Sequence, residues 1–258
     1  MSDAIDDPEA VFNLLSDARA VLFDFDGPVC DLFGGASTED VAKKVKDRAR
    51  WMWRTLDQEV EKCDDSHGIL RKLRTMYDEA DPKPRFRLPL TLAERVVARQ
   101  ERDAVRRAQP TPDIGAVVEL LNALELPLAI VSNNAERAIR MYLKKKKLQG
   151  LFTSVCGRDP KNAGLMKPHP DCVNRAVSRL SLDPTDCVLV GDQLTDLQAA
   201  QEARTPFLGI TPDRSRAEKM VEYGATAVVT SYEPVLTALE RLSREREASA
   251  QPLSPAAR

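Results

Sequence analysis

The sequence predicts an open α/β fold with a parallel β-sheet in a three-layer core. Apolar segments of strand length recur along the chain, and helical patterns separate most of them. Strands that alternate with helices are typical of a sheet covered by helices on both faces. One long stretch, between Asp26 and Leu128, breaks this alternation because it contains no convincing strand. The sequence therefore predicts an α/β core that is interrupted by a helical insert.

The strands are predicted from short runs rich in Val, Ile, Leu and Phe. The segments are "AVLFDF" from Ala20, "PLAIVS" from Pro127, "CVLVG" from Cys187, "PFLGI" from Pro206 and "TAVVT" from Thr226. A shorter and weaker candidate is "FTSVC", which ends at Cys156. Near-continuous apolar runs of this length indicate strands that are buried on both faces, as in a parallel sheet.

Helices are predicted between most of these strands. Thr111 and Pro112 fit the N-cap and the first position of a helix that runs to about Leu124. The remaining helical patterns cover 134–147, 170–180, 195–203, 213–223 and 231–247. Their alternation with the strands supports the three-layer arrangement.

The insert is predicted to contain three helices. Ser37 and Asp40 form a capping-box pattern, and apolar residues from Val41 to Val60 follow at steps of three and four, which is typical of one face of a long helix. Further helices fit 67–78 and 91–108. The insert is entered through "GG" and left through "QPTP", both near the predicted site, so we expect it to act as a lid. The predicted organisation is core 1–33, helical cap 34–110, core 111–248 and disordered tail 249–258.

Composition argues against several classes of protein. The 258 residues carry a net charge of −2, which implies no bulk attraction to nucleic acid or to a membrane surface. No apolar run reaches the length of a membrane span, and the acidic N-terminus does not resemble a secretory signal. The five cysteines form no C-x-x-C pair and are expected to be reduced thiols. We therefore expect a cytoplasmic protein, and its having only two histidines argues against a multi-histidine metal centre.

Two carboxylates at the end of the first strand are the first candidates for function. Asp24 and Asp26 follow an apolar run, whereas the same spacing in Glu59/Glu61, Glu101/Asp103 and Glu245/Glu247 falls in predicted helices, where we expect ordinary solvated charges. Ligands in open α/β sheets bind outside the carboxyl ends of the strands. The alternative is that the two aspartates have only a structural role, as a helix N-cap or as turn residues.

Polar residues at other strand ends strengthen the functional interpretation. Ser132 follows "PLAIV", Asp192 follows "CVLVG" with Asp196 one helical turn later, and Lys167 lies in a loop fixed by two prolines, Pro168 and Pro170. Each has an alternative explanation, since Ser132 or Asn133 could cap a helix, Asp192 could belong to a turn and Lys167 could be a surface charge. Their common position at strand ends favours one shared site.

These segments resemble the four ordered motifs of the haloacid dehalogenase superfamily. The resemblance rests on "DFDGPV", "VSNN", "KPHP" and "GDQLTD", and it covers essentially the whole core. It implies a Rossmann-like core, a bound Mg²⁺ ion and an aspartyl-phosphate intermediate. The position of the insert is similar to that of the helical cap in the subgroup that holds phosphoglycolate phosphatase and β-phosphoglucomutase. The resemblance therefore implies a phosphatase or phosphomutase acting on a small phosphorylated metabolite.

The resemblance also implies a role for each candidate. Asp24 would be the nucleophile and Asp26 the general acid and base, while Ser132 and the backbone amide of Asn133 would bind the phosphoryl oxygens. Lys167 would neutralise charge shared between Asp24 and the phosphate. The Mg²⁺ ligands implied by the family are the Asp24 carboxylate, the Asp26 backbone carbonyl, Asp192 and Asp196, the last directly or through water.

Two departures bear on the reaction. Related sugar phosphomutases carry a histidine in the hinge about a dozen residues after the nucleophile, whereas "DLFGGAST" has none, and this favours hydrolysis over mutase activity. Pro28 replaces the usual Thr or Val, which removes a hydroxyl from the nucleophile loop without removing a motif residue. A further alternative is a member of the superfamily that binds a ligand but has no catalytic activity. The presence of all the motif residues argues against this alternative.

The substrate is the least determined property. Residues 39–110 contain 18 Lys/Arg against 14 Asp/Glu, a net charge of +4 that would suit an anionic substrate. Arg54, His67 and Arg74 are candidate contacts, each with an ordinary surface role as the alternative. Trp51 and Trp53 could stack on a substrate ring or pack in the lid core. The "KKKK" run from Lys144 ends a predicted helix, where a solvated face is favoured over nucleic-acid binding.

Overall fold

The computed structural model describes residues 5–82 and 86–250. Six parallel strands form one sheet. They are β1 (Ala20–Phe23), β4 (Leu128–Val131), β5 (Ser154–Cys156), β6 (Cys187–Gly191), β7 (Phe207–Ile210) and β8 (Ala227–Val229). Their order across the sheet is β5-β4-β1-β6-β7-β8. Each lies within a predicted segment, including the weak "FTSVC" candidate, so the predicted parallel α/β sheet is confirmed.

Helices cover both faces of this sheet. Helices α1 (Pro8–Ser16), α6 (Ile114–Ala123), α7 (Glu136–Lys145) and α11 (Glu233–Ala250) contribute to one hydrophobic cluster, together with Val21 and Phe23 of β1. Helices α8 (Asp171–Leu180), α9 (Leu194–Ala203) and α10 (Arg214–Glu222) contribute to a second cluster, with Ala20 and Leu22. Alternate residues of β1 thus face opposite helical layers, which gives the three-layer core.

Four helices before β4 enclose a separate hydrophobic cluster that includes Val45, Ile69 and Val97. They are α2 (Glu39–Trp53), α3 (Gln58–Glu61), α4 (Ser66–Glu79) and α5 (Leu88–Ala104). The prediction of a single long helix through Val60 is wrong, because α2 ends at Trp53 and α3 begins at Gln58. The chain leaves helical geometry at Arg54, which has φ +69°, and a new short helix starts after Asp57.

Two other predicted helix starts differ from the structure. Thr38, not Ser37, precedes α2, and the predicted capping box is replaced by a hydrogen bond from Glu39 N to Ser37 Oγ (3.2 Å). Helix α6 begins at Ile114 rather than at Pro112. The Thr111 hydroxyl instead donates to the carbonyl of Gly27 (2.5 Å), so tertiary contact took precedence over local capping.

The two chain segments that connect the helical block to the sheet run side by side. Strand β2 (Cys30–Asp31) pairs antiparallel with β3 (Gln109–Pro110). After β2 the chain turns through Gly34 and Gly35, whose φ angles of +61° and +70° favour glycine. Both connections therefore leave the sheet beside the loop that follows β1.

The last helix, α11, extends further towards the C-terminus than predicted. Helix α11 continues to Ala250, and residues 251–258 of the predicted disordered tail lie outside the described residues. Helix α1 had no counterpart among the predicted elements. Within the described ranges, no helix is both long enough and apolar enough to cross a membrane.

Candidate active site

Three of the candidate residues directly follow neighbouring strands at one edge of the sheet. Strand β1 lies between β4 and β6, so Asp24, Ser132 and Asp192 leave the sheet side by side. Asp24 is held by a hydrogen bond from its backbone N–H to the carbonyl of Val190 in β6 (2.8 Å). The parallel order of the strands is what brings together residues that are far apart in sequence.

Lys167 joins these strand ends. Its Nζ lies 2.9 Å from Asp24 Oδ1 and 2.6 Å from Asp196 Oδ1, and it donates to the carbonyl of Val131 (3.2 Å). The side chain is only 1% exposed. Burial lowers the pKa of Lys167, but the adjacent carboxylates of Asp196 and Asp24 raise it above its ordinary value. The ammonium charge therefore compensates two carboxylates that would otherwise be costly to bury.

Asp192 completes a group of three carboxylates. One oxygen from each of Asp24, Asp192 and Asp196 lies within 4.8 Å of the others. Burial and the charges of Asp196 and Asp24 raise the pKa of Asp192 to about 8. Its Oδ1 is buried and has no hydrogen-bond partner in the described part of the chain. Clustered carboxylate oxygens with an unpartnered buried atom fit a hard divalent cation such as Mg²⁺.

Asp196 uses its second oxygen to organise the loop after β6. Its Oδ2 accepts hydrogen bonds from the backbone N–H groups of Asp192 (3.2 Å) and Gln193 (3.0 Å). Burial raises the pKa of Asp196, and the charge of Lys167 opposes that shift. A Cβ atom on Gly191 would lie 2.5 Å from the Asp196 Cβ, so glycine is required for this close approach.

The carboxylate of Asp26 is separate from the other three. Its Oδ1 accepts a hydrogen bond from the N–H of Leu32 (2.9 Å), where the chain leaves for the helical block. Burial raises the pKa of Asp26 to about 6, although the hydrogen bond from Leu32 opposes this. Its position links the end of β1 to the connection that carries the insert.

The loop around Asp26 is fixed from two sides. Gly27 has φ +109°, and a Cβ there would lie 2.5 Å from the Asp192 carboxyl carbon. The hydroxyl of buried Tyr232 donates to the carbonyl of Pro28 (2.9 Å), in addition to the contact of Thr111 with Gly27. Neither Tyr232 nor Thr111 was predicted to support the site, because their partners are backbone carbonyls with no sequence signature.

Ser132 and Asn133 hold the loop after β4. The fully buried Ser132 donates to Asn134 Oδ1 (3.0 Å) and accepts from the Asn134 N–H (3.2 Å). Asn133 exchanges two hydrogen bonds with the backbone of Lys167, of 2.7 and 3.2 Å. The second and third motifs are thus joined directly through the Asn133 side chain.

The prediction that Glu101 is a solvated charge is wrong. Its side chain is 0% exposed and pairs with His67 and Arg158. Burial alone would raise the pKa of Glu101, but Arg158 and His67 lower it to about 2. A signal was present in the sequence, because Glu101 continues the four-residue steps of buried Ala93 and Val97 on α5.

Six basic side chains of the helical block line one groove. A groove of about 1470 Å³ between the block and α7 is lined by Lys44, Arg48, Arg95, Arg99, Arg102 and Arg107, among others.

Arg74 pairs with Asp78 and donates to the carbonyl of Lys161. Trp53 stacks on Tyr77 while Trp51 is 81% exposed. Of the candidate substrate contacts in the block, His67 is the one that is joined to a motif loop.

The fold and the four converging loops agree with the haloacid dehalogenase resemblance, and sequence comparison supports it. Residues 21–210 match the haloacid dehalogenase-like hydrolase family. The chain therefore belongs to this family.

Two curated relatives of this chain are phosphoglycolate phosphatases. A phosphoglycolate phosphatase from Salmonella choleraesuis is 29% identical over 128 residues, which is 50% of each chain. A phosphoglycolate phosphatase from Escherichia coli is 31% identical over 100 residues, which is 39% of each chain. The aligned part of this chain thus spans half or less of the length of these curated relatives.

Solved structures share the fold. A haloacid dehalogenase-like hydrolase from Streptococcus pneumoniae has a TM-score of 0.55 at 16% identity, with 89% of this chain and 99% of that chain covered. CbbY from Rhodobacter sphaeroides in complex with phosphate has a TM-score of 0.58 at 17% identity, with 86% and 99% covered. These similarities extend over the helical block as well as the sheet.

Proposed function

We propose that the protein is a Mg²⁺-dependent phosphatase that hydrolyses a small phosphomonoester through an aspartyl-phosphate on Asp24. The observation that carries the proposal is the contact of Lys167 Nζ with both Asp24 and Asp196, beside the partly unpartnered carboxylate of Asp192. One buried cation and three carboxylates at converging strand ends leave a net negative site that suits a divalent ion and a phosphoryl group.

The metal would be held by the Asp24 carboxylate, the Asp26 backbone carbonyl and Asp192. Both oxygens of Asp196 are already engaged, by Lys167 and by two backbone N–H groups, so we expect Asp196 to act mainly by orienting Asp192 and the loop. When bound, Mg²⁺ would offset the negative charge of the phosphoryl oxygens and of the surrounding carboxylates.

In the first step the Asp24 carboxylate attacks phosphorus, and the bond between phosphorus and the leaving-group oxygen breaks. Asp26 gives its proton to that oxygen. In the second step Asp26 takes a proton from water as the water oxygen attacks phosphorus, and the bond to Asp24 breaks. Inorganic phosphate leaves and both carboxyl groups return to their starting states. Ser132, the amide of Asn133 and Lys167 would bind the phosphoryl oxygens throughout.

The helical block from 34 to 110 is proposed to be the cap of this active site, between core segments 1–33 and 111–248. Both of its connections pass beside the Asp26 loop, and Leu32 on the first connection donates to the Asp26 carboxylate. Movement of the block would therefore change the hydrogen bond to Asp26, the proposed general acid and base. Closure of the block over the strand ends would also exclude water from the site during the first step.

Hydrolysis is favoured over sugar-phosphate isomerisation because the hinge segment 31–38 contains no histidine. The curated relatives are phosphoglycolate phosphatases, which supports a small phosphorylated metabolite as the substrate. Neither a nucleic acid nor a membrane is proposed as a partner. The five cysteines are free and buried, in keeping with a reducing, cytoplasmic location.

The test is a phosphate-release screen over phosphoglycolate, sugar phosphates and nucleoside monophosphates, with Mg²⁺ and with EDTA. We expect metal-dependent turnover that Asp24→Asn reduces by at least about 10³-fold, because the nucleophile is lost. The exposed Asp17→Asn is a matched control that should retain activity. Accumulation of an isomerised sugar phosphate would favour a mutase instead. The proposal is rejected if no compound is turned over and no Mg²⁺ binds.

A further inference from the structure

A buried carboxylate connects the helical block to the motif loops. Glu101 on α5 has no exposed side-chain surface. Its Oε1 accepts from His67 Nε2 (2.9 Å), from Asn134 Nδ2 (3.3 Å) and from Arg158, and its Oε2 accepts from the N–H of Ala135 (3.0 Å). His67 belongs to the helical block, whereas the other three donors follow strands of the sheet. A carboxylate with four donors is held in one position.

The same network reaches the phosphoryl-binding loop. Asn134 also exchanges hydrogen bonds with the Ser132 hydroxyl (3.0 and 3.2 Å). Three hydrogen-bonded contacts in sequence therefore join His67 to Ser132, through Glu101 and Asn134. The position of the His67 ring is set by the loop that would hold the substrate's phosphoryl group.

Helix α4 carries His67 in its first turn and contacts the loop that holds Lys167. One turn further on, Arg71 donates to the backbone carbonyl of Lys167 (3.0 Å). The Asp65 side chain caps the start of α4 by accepting from the N–H groups of His67 (3.3 Å) and Gly68. The backbone that carries His67 is therefore fixed as well as its ring.

One ring nitrogen of His67 remains available. Its Nε2 is engaged by Glu101, while its Nδ1 has no hydrogen-bond partner among residues 5–82 and 86–250. The side chain is 21% exposed, so part of the ring is accessible to a small molecule. A histidine with one nitrogen anchored to a buried carboxylate presents the other in a fixed direction.

We propose that His67 is a specificity-determining residue whose Nδ1 hydrogen-bonds an oxygen of the substrate's leaving group, and that Glu101 is the residue that positions it. This inference rests on the proposed phosphatase function. It assigns the substrate to phosphomonoesters whose leaving group bears a hydroxyl or carboxylate near the phosphate. A neutral ring would accept from a hydroxyl, and a protonated ring would donate to a carboxylate.

The experiment compares two kinds of substrate. One is the best oxygen-bearing compound from the screen, a sugar phosphate or phosphoglycolate, and the other is phenyl phosphate, whose leaving group has no further oxygen. His67→Ala should lower kcat/KM about tenfold or more for the first, mainly through KM, and less than about twofold for the second. Whether the affected substrates are hydroxylated or carboxylated identifies the recognised group. Thr75→Ala, on an exposed position of α4, should change neither.

A second variant and a binding measurement separate recognition from folding. Glu101→Gln weakens the anchor of the His67 ring, and should raise KM more for the oxygen-bearing substrate than for phenyl phosphate. Calorimetric titration of that substrate into Asp24→Asn should show binding that Asp24→Asn/His67→Ala weakens by a similar factor. Equal effects of His67→Ala on both substrates, or no effect on either, would overturn the inference about His67 but not the proposed phosphatase function. An inactive wild type would overturn the phosphatase proposal and the inference together.

Discussion

At the scale of single residues, the charge of Lys167 compensates two of the three clustered carboxylates. It contacts Asp24 and Asp196 at 2.9 and 2.6 Å but makes no ion pair with Asp192 in the described part of the chain. Arg216 lies 3.4 Å from Asp192, at a partly exposed position where an ion pair is weaker. The third carboxylate is therefore the one most dependent on a further cation.

Gly191 gives a residue-scale prediction. In Gly191→Ala the new Cβ would meet the Asp196 Cβ at 2.5 Å and push this carboxylate away from Lys167 and from the N–H groups that it caps. We expect the free energy of unfolding to fall by about 1–3 kcal/mol and phosphate release to fall at least tenfold. Urea unfolding and the phosphate assay measure the two effects.

Gly150→Ala is the matched control for that substitution. A Cβ on Gly150 meets no atom within 4 Å, so this variant should behave as the wild type does. A fully active Gly191→Ala enzyme would contradict the proposed position of Asp196 in the site.

At the scale of helices, α5 carries a buried ion pair at the contact between the helical block and the sheet layer. Because the pKa of Glu101 lies near 2 in the folded protein and near 4.5 for an unperturbed glutamate, the unfolded chain takes up the proton first as the pH falls. The stability that this carboxylate contributes is present above about pH 4.5 and is lost as the pH falls towards about 2.

The Glu101→Gln variant tests this acid dependence. At pH 7 we expect it to be less stable than the wild type by about 2–3 kcal/mol, since Arg158 loses one of its two carboxylate partners. The difference should shrink below pH 4.5 in urea-unfolding curves. The exposed Glu119→Gln should show no such difference, and a pH-independent loss in Glu101→Gln would contradict the assigned charge.

The end of α9 gives a second prediction at this scale. Its C-cap residue, Arg204, is left-handed with φ +60°, a conformation that glycine adopts without steric cost. Arg204→Gly should raise the free energy of unfolding by about 0.5–1 kcal/mol. Arg204→Ala removes the same charge but keeps the Cβ, so it should give no gain. Thermal or urea unfolding of the three proteins decides between backbone strain and charge as the cause.

At the scale of the whole molecule, metal binding should couple the site to global stability. At a Mg²⁺ concentration of about 100 Kd the folded state gains about 2.7 kcal/mol, which corresponds to a rise of about 5–10 °C in Tm for a chain of this size. Differential scanning calorimetry with Mg²⁺ and with EDTA measures this shift. Asp192→Asn should abolish the shift, whereas Asp17→Asn should retain it.

Asp192→Asn carries a second expectation. In EDTA it should be more stable than the wild type, because one of three crowded carboxylates is neutralised. The amide oxygen can take the place of Oδ2, which accepts from Gln193 and Arg216, and the amide NH2 can take the place of the unpartnered Oδ1. An unchanged Mg²⁺ shift in this variant would argue against Asp192 as a ligand.

The sequence by itself determined the sheet and the residues at its edge. Runs such as "AVLF" and "CVLVG" specify buried strands locally, and Asp24, Ser132 and Asp192 were identified because each directly follows such a run. Strand residues and helix faces depend mainly on periodicity, which neighbouring residues along the chain set. That is why the parallel α/β core and most helices were predicted within a few residues.

Only the tertiary structure decided what those residues touch. The prediction placed Glu101 in solvent and Thr111 at a helix cap, but Glu101 pairs with Arg158, 57 positions away, and Thr111 binds Gly27, 84 positions away. The break of α2 at Arg54 likewise places Val60 in a cluster with residues of α4 and α5. Burial of a charge or a bend in a helix depends on partners distant in sequence, and periodicity carries no information about which partners those are.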